Sequence, residues 1–137
     1  MKITICGSMA FAKEIIDVKN KLEEMGHICY MPEGVNDYAN GIIKEVGGSE
    51  GAERKIANNL IFKHYELINN SDAVLVANYD KKGIKNYIGG NSFLEIGFAF
   101  ILKKPIYLIN EIPEMGYKDE IEAMQPIILN GDFSKVK

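Results

Sequence analysis

Cysteine and histidine are scarce in this sequence, with two of each among 137 residues. Cys6 and Cys29 are too few for a disulfide framework and lack the spacing of metal ligands. Both fall in short apolar runs, which predicts buried free thiols in a reducing cytosol. Cys6 also lies near a glycine turn, so a reactive role stays open. His27 and His64 stand far apart without a partner cysteine at metal-ligand spacing, so no metal site is expected, and no residue pattern calls for a bound cofactor. Apolar runs are short as well. None nears the roughly 20 residues of a membrane span, and the opening MKITICGSMAF lacks the shape and cleavage site of a signal peptide. Nor is positive charge in excess: 16 Lys and Arg against 19 Asp and Glu leave a formal net charge of −3. That balance excludes a general nucleic-acid or membrane-surface binder. Repeats, low-complexity tracts and linkers are absent too. With 47% hydrophobic and 26% charged residues, residues 1–137 are expected to form a single cytoplasmic domain. A chain of this length buries about two-thirds of its unfolded surface.

What is present is an alternation of short apolar strands and amphipathic helices. Ile3–Cys6 reads as a strand ending in Gly7-Ser8. Residues 10–25 carry Phe11, Ile15, Ile16, Val18, Leu22 and Met25 near helical spacing, and Gly26 stops them. His27–Met31 reads as a strand closed by Pro32. Residues 33–48 are glycine-rich and polar, either a mobile loop or a lid over a site. A helix is expected from about Ser49, with Ala57, Leu60, Ile61, His64 and Ile68 on one face. Asp72–Ala77 has the continuous apolar character of a strand buried on both faces. A lysine-rich loop comes next, then a helix over Ser92–Leu102, a strand over Pro105–Ile109, a short helix over Asp119–Met124 and a last strand over Ile127–Leu129. This pattern predicts an α/β three-layer sandwich around a five-stranded parallel sheet, in the flavodoxin-like, Rossmann-like order 2-1-3-4-5. Ligands of such sheets bind beyond the carboxyl ends of the strands, where the order reverses. Gly7 and Ser8, Asn78 and Asp80, and the segment Gly89–Glu95 are expected to meet there.

The stretch NYIGGNSFLEIGFAF, residues 86–100, carries the main functional signal. Ser92 and Glu95 have the spacing of a capping box, in which the two side chains satisfy each other's backbone amides, and Gly89-Gly90 would then be only a turn. Three observations favour a site instead. Glu95 is the only charge on a helix that reads as apolar, and hence buried, on every side. Gly97 costs roughly 0.8–1 kcal/mol against alanine within a helix, so a close approach by a ligand or another backbone is expected there. The preceding loop offers free amides at a helix N-terminus, where anions and sugar hydroxyls bind.

Strand one ending in CGS, the strand opening with Asp72, and above all GGNSFLEIGFA resemble the nucleoside 2-deoxyribosyltransferase superfamily, which includes 2'-deoxynucleotide N-glycosidases. The Glu-x-Gly-x-Ala pattern is matched by Glu95, Gly97 and Ala99. A weaker likeness links the segment to nucleoside-monophosphate phosphoribohydrolases, at a spacing one residue shorter here. The resemblance implies an enzyme acting on the N-glycosidic bond of a nucleoside or nucleoside 5'-monophosphate. In the resembled enzymes the helix glutamate attacks the anomeric carbon, and water or a second base resolves the sugar ester. Carried over, Glu95 is the nucleophile. Gly89, Gly90, Asn91 and Ser92 hold sugar or phosphate, with Gly7 and Ser8 as the facing wall. Lys81, Lys82 and Lys85 either meet a 5'-phosphate or form a solvated basic loop.

The chain departs from that pattern in two places. The transferases carry an aromatic hydroxyl near the end of strand one, where Ile5 stands here. They also use an acid before strand three on the leaving base, and counting back from Asp72 puts His64 near that position. His64 is either a hydrogen-bonded core residue or a proton carrier, with Tyr65 and Glu66 as fallbacks. Asp72 reads as structural, while Asn110 and Glu111 could hydrogen-bond a base. The apolar helix implies a homodimer or higher homo-oligomer, as in the resembled enzymes. A non-catalytic nucleotide-binding or sensor module remains the alternative.

Overall fold

Alternation along buried strands sets the architecture. In β1 (Lys2–Cys6) and β3 (Ala73–Val76) every residue but Lys2 is buried, as happens when helices cover both faces of a sheet. Ile3, Ile5, Ala73 and Leu75 point to one side, into a cluster with Ile15, Val18 and Leu22 of α1 (Ala12–Glu24). Cys6, Val74 and Val76 point to the other, with Ile96 and Ala99 of α4 (Gly90–Ile101) and Ile121 of α5 (Lys118–Ala123). The computed structural model describes residues 1–41, 52, 53, 56 and 59–137.

The remaining elements are β2 (Ile28–Tyr30), α2 (Val35–Ala39), α3 (Leu60–Asn69), β4 (Ile106–Leu108) and β5 (Ile127–Ile128), with short 3-10 turns at Met9–Phe11 and Phe133–Lys135. All strand pairs are parallel, and the sheet order is β2-β1-β3-β4-β5, as the sequence predicts. Part of the segment expected to be a loop is the helix α2. The rest of the expected loop or lid, the helix start near Ser49 and Ala57 fall mostly on residues 42–51, 54, 55, 57 and 58, which lie outside the described residues.

The buried stripe of α4 is Ser92, Glu95, Ile96 and Ala99, a helical i, i+3, i+4, i+7 pattern. Leu94, Phe100 and Ile101 are exposed, so the expectation that this helix is buried all round is corrected: one apolar face is open. A Cβ added at Gly97 would meet nothing within 4 Å, so among the described residues no close approach explains that glycine. Beyond α4, the Lys104 ammonium donates to the carbonyls of Ile68 (2.7 Å), Asn69 (2.6 Å) and Ser71. It thereby fills the unsatisfied C-terminal carbonyls of α3, as a cation there should.

Asp72 is structural, as expected: its Oδ2 accepts from the Lys2 amide at 2.7 Å. Asn78 is a correction. Its fully buried side chain lies just past β3 and donates from Nδ2 to the Asn110 and Glu111 carbonyls (3.0 and 3.1 Å). Its Oδ1 accepts from the Asn110 amide at 2.9 Å. Asn78 spends its amide on holding the ends of β3 and β4 together, so it does not face a ligand. Asn110 Nδ2 returns a bond to the Asn78 carbonyl (2.9 Å), and Glu111 Oε1 accepts from Asn130 (2.8 Å). Both side chains are thus partly engaged in holding the ends of β3, β4 and the turn after β5 together.

Candidate active site

A cavity of about 340 Å³ opens beyond the carboxyl ends of β1 and β3, lined by Gly7, Ser8, His64, Gly89, Gly90, Asn91, Ser92 and Glu95. That is the switch point of the sheet order, where ligands of this architecture bind. Eight of the ten expected site residues therefore meet in one place. The exceptions are Asn78, tied to Asn110 and Glu111, and Asp80. The Asp80 carboxylate accepts from the Asn86 amide at 2.9 Å and closes the base of a hairpin loop, so it too is corrected to a structural role. Lys81 and Lys82 line the cavity, whereas Lys85 borders a separate groove. Of the fallback acids, Tyr65 packs edge-on against Phe98 at 5.5 Å, and neither it nor Glu66 lines the cavity.

Glu95 sits on the buried stripe of α4 and is only 5% exposed, yet it borders the cavity. The capping box does not form. The helix begins two residues earlier than expected, with Gly89 in extended backbone at the N-cap and no side-chain cap. The Cys6 thiol at the end of β1, which donates to the Thr4 carbonyl at 4.0 Å, lies close enough to the Glu95 carboxylate to influence it. Burial pushes the Glu95 carboxyl up from 4.5 to about 7, against the lowering effect of that thiol. Burial likewise holds the Cys6 thiol well above its ordinary range, and the neighbouring Glu95 charge adds to the effect. Cys6 is therefore a neutral donor, not a thiolate nucleophile.

His64 projects from α3 with Nδ1 3.9 Å from Glu95 Oε1, a carboxylate–imidazole pair at the cavity wall. This distance is too long for a hydrogen bond, but a small closing movement or one water would link the two. A much smaller void of about 10 Å³ adjoins both side chains, between Ile61, Leu94 and Phe98. On the facing wall, Ser8 Oγ accepts from Lys81 Nζ at 2.7 Å and from the Ala10 amide at 3.2 Å. A Cβ on Gly7 would lie 3.1 Å from the Ala77 carbonyl. Only glycine lets the β1 turn pass that close to β3.

Several lining residues escaped the sequence reading. Tyr38 of α2, Glu33, and Leu60 and Ile61 of α3 face the cavity, as does Tyr87. Tyr87 stands two residues before Gly89, and a Cβ there would fall 3.2 Å from its ring. The missing side chain at Gly89 makes room for the tyrosine, a relation that only the ring's position reveals. Among the described residues, no group of three or more His, Cys, Asp or Glu side chains could hold a metal ion. No helix of the described residues is long and apolar enough to cross a membrane.

Compared by sequence, the chain matches no family model and no curated protein. By structure it is similar to a 2-deoxyribosyltransferase from Bacillus psychrosaccharolyticus, at 22% identity and a TM-score of 0.50, over 80% of this chain and 72% of that one. It is also similar to a CMP N-glycosidase from Clostridium botulinum, at 16% identity and a TM-score of 0.53, over 95% of this chain and 90% of the other. A flavoenzyme NAD(P)H:(acceptor) oxidoreductase from Paracoccus denitrificans matches at 14% identity and a TM-score of 0.50, over 96% and 76%. One architecture thus carries glycosyl and redox chemistry, and the choice between them rests on the site. The chain has the fold shared by these three enzymes, an α/β sandwich on a parallel 2-1-3-4-5 sheet.

Proposed function

We propose that the chain cleaves or transfers the N-glycosidic bond of a (deoxy)nucleoside or nucleoside 5'-monophosphate, with Glu95 as nucleophile. The observation that carries this reading is a buried carboxylate, pushed up to about 7, at the wall of a ligand-sized cavity and beside an imidazole. The likeness to a 2-deoxyribosyltransferase and a CMP N-glycosidase supports it.

Burial works for this chemistry. An ionised Glu95 is poorly solvated, and attack on an anomeric carbon removes its charge by forming a neutral ester. The desolvation that raises its pKa therefore also favours the covalent intermediate. In the first step a Glu95 oxygen bonds to the anomeric carbon while the carbon–nitrogen bond breaks. The bond's electron pair leaves with the base, which takes a proton from His64 or from a water that His64 holds. Water or a second base, giving up its proton to the His64 side chain that lost one in the first step, then attacks the same carbon from the vacated side; the carbon–Glu95 ester bond breaks and Glu95 leaves as a carboxylate, with net retention. Asn91, Ser92 and the Gly89-Gly90 amides hold the sugar end, and the apolar edge formed by Leu60, Ile61 and Tyr38 suits a planar base.

The test is a panel of nucleosides and their 5'-monophosphates, with released base read by chromatography. Glu95→Ala is expected to lower kcat by at least about 1000-fold, and kcat/KM of the unaltered protein should rise with pH through about 7 as Glu95 ionises. Release that survives Glu95→Ala removes Glu95 from the mechanism. Thermal stabilisation by nucleotides without turnover would instead favour a binding or sensor module.

A further inference from the structure

The last residue of β1 points into the layer that carries Glu95. Cys6 is fully buried and packs in one cluster with Val76, Ile96 and Ala99. Ile96 and Ala99 belong to the same buried stripe of α4 as Glu95, so the thiol lies beneath that stripe. Its backbone is fixed. Cys6 pairs with Val76 in the parallel ladder, and its carbonyl accepts from the Ala77 amide at 2.8 Å. Gly7 beyond it is held close to the Ala77 carbonyl. Rotation about the side-chain bonds is the freedom that the thiol keeps.

Two acceptors compete for the thiol hydrogen. The Thr4 carbonyl stands 4.0 Å from Sγ, a long contact even for sulfur. The Glu95 carboxylate is close enough for each group to shift the ionisation of the other. A neutral carboxyl and a carbonyl are comparable acceptors, whereas hydrogen bonds to an ionised group are roughly twice as strong. The favoured acceptor therefore changes when Glu95 loses its proton. Burial holds the thiol well above its ordinary range, so Cys6 stays protonated, and a donor, throughout the interval in which Glu95 titrates. His64 Nδ1, from α3, lies 3.9 Å from the carboxylate, too far to donate. Neither β3 nor the rest of α4 carries a charge. Glu33, Tyr38, Lys81, Lys82 and Tyr87 border the same cavity from its other walls.

We infer that Cys6 is a positioning residue for Glu95: its thiol turns from the Thr4 carbonyl to the carboxylate when Glu95 ionises, and leaves the second carboxylate oxygen facing the cavity. The thiol proton stays on sulfur throughout. A donor to the ionised form also favours that form, so the thiol offsets part of the burial that keeps Glu95 protonated. The catalytic consequence rests on the reading that Glu95 attacks the anomeric carbon. The change of acceptor does not.

That change is read directly in the infrared, where the S–H stretching band falls in a window clear of other protein bands. Cys6→Ser identifies which of the two thiol bands belongs to Cys6. In the wild type this band should move to lower wavenumber as pH rises through about 7, and in Glu95→Gln it should stay in place. A wild-type band that does not move overturns the inference. So does one that moves as far in Glu95→Gln, since His64 would then be the group that titrates. The pH profile of kcat/KM reads the consequence. Cys6→Ala should carry its acid limb up by about 0.5 unit, an about threefold loss at pH 6 that fades above pH 8. Cys6→Ser restores a donor of similar size and should return the limb to its wild-type position or below. Two variants that displace the limb alike would make the effect one of packing and sink the positioning role. The two readings also fail separately. Release abolished by Glu95→Ala beside an unmoving band keeps the nucleophile and overturns the inference. Release that survives Glu95→Ala beside a moving band keeps the thiol–carboxylate contact and removes its part in the reaction.

Discussion

Glu95 weakens the fold in order to be useful. Its folded-state pKa of about 7 lies above the ordinary 4.5. Between those two values the folded chain keeps a proton that the unfolded chain has released. Stability therefore falls as pH rises through that window, and the whole cost is present above about pH 7. At 1.36 kcal/mol per pH unit the cost is about 3 kcal/mol, a large part of an ordinary domain's stability. Glu95→Gln keeps the shape and removes the ionisation. Its melting temperature should exceed the wild type's by about 5–10 °C at pH 8 and match it near pH 4, as differential scanning calorimetry would show. A variant no more stable at pH 8 would mean that the carboxyl is solvated in the protein.

At the scale of the element, α4 carries both the site and an unused opportunity. Gly97 has open space where a Cβ would sit and lies inside the helix. Gly97→Ala should therefore stabilise the chain by about 1 kcal/mol through helix propensity and a less flexible unfolded state, read as a higher urea midpoint at unchanged slope. A loss of stability would mean that something outside the described residues packs against that position. The elements themselves were legible because β1 and β3 are buried on both faces and so consist of unbroken apolar residues. The meeting of Gly7, Ser8, Gly89–Ser92 and Glu95 followed from that alternation and the switch-point rule. The start of α4 was misplaced by two residues because Gly89 caps through backbone alone, while the serine–glutamate spacing imitates a side-chain cap. Asn78 and Asp80 were misread because their partners, Asn110 and Asn86, are set by tertiary pairing that no local pattern records. Tyr38 and Tyr87 stayed hidden for the same reason.

Over the whole molecule, the exposed residues Ile61 and Phe62 of α3 and Leu94 and Ile101 of α4 leave apolar surface uncovered on one side of the sheet, with Ile101 77% exposed. Surface of that kind marks an interaction site more often than an accident. The chain is expected to self-associate through it, and sedimentation velocity at micromolar concentration should give a dimer or larger species that Ile101→Glu dissociates. A wild type that sediments as a monomer sinks that expectation. The helices that bear this surface also carry the two reacting side chains, and the ammonium of Lys104 ties the far end of α3 to the chain leaving α4. That tie therefore fixes α3 and α4 against each other at the end of the sheet away from the cavity, and with them the backbone that carries Glu95 and His64.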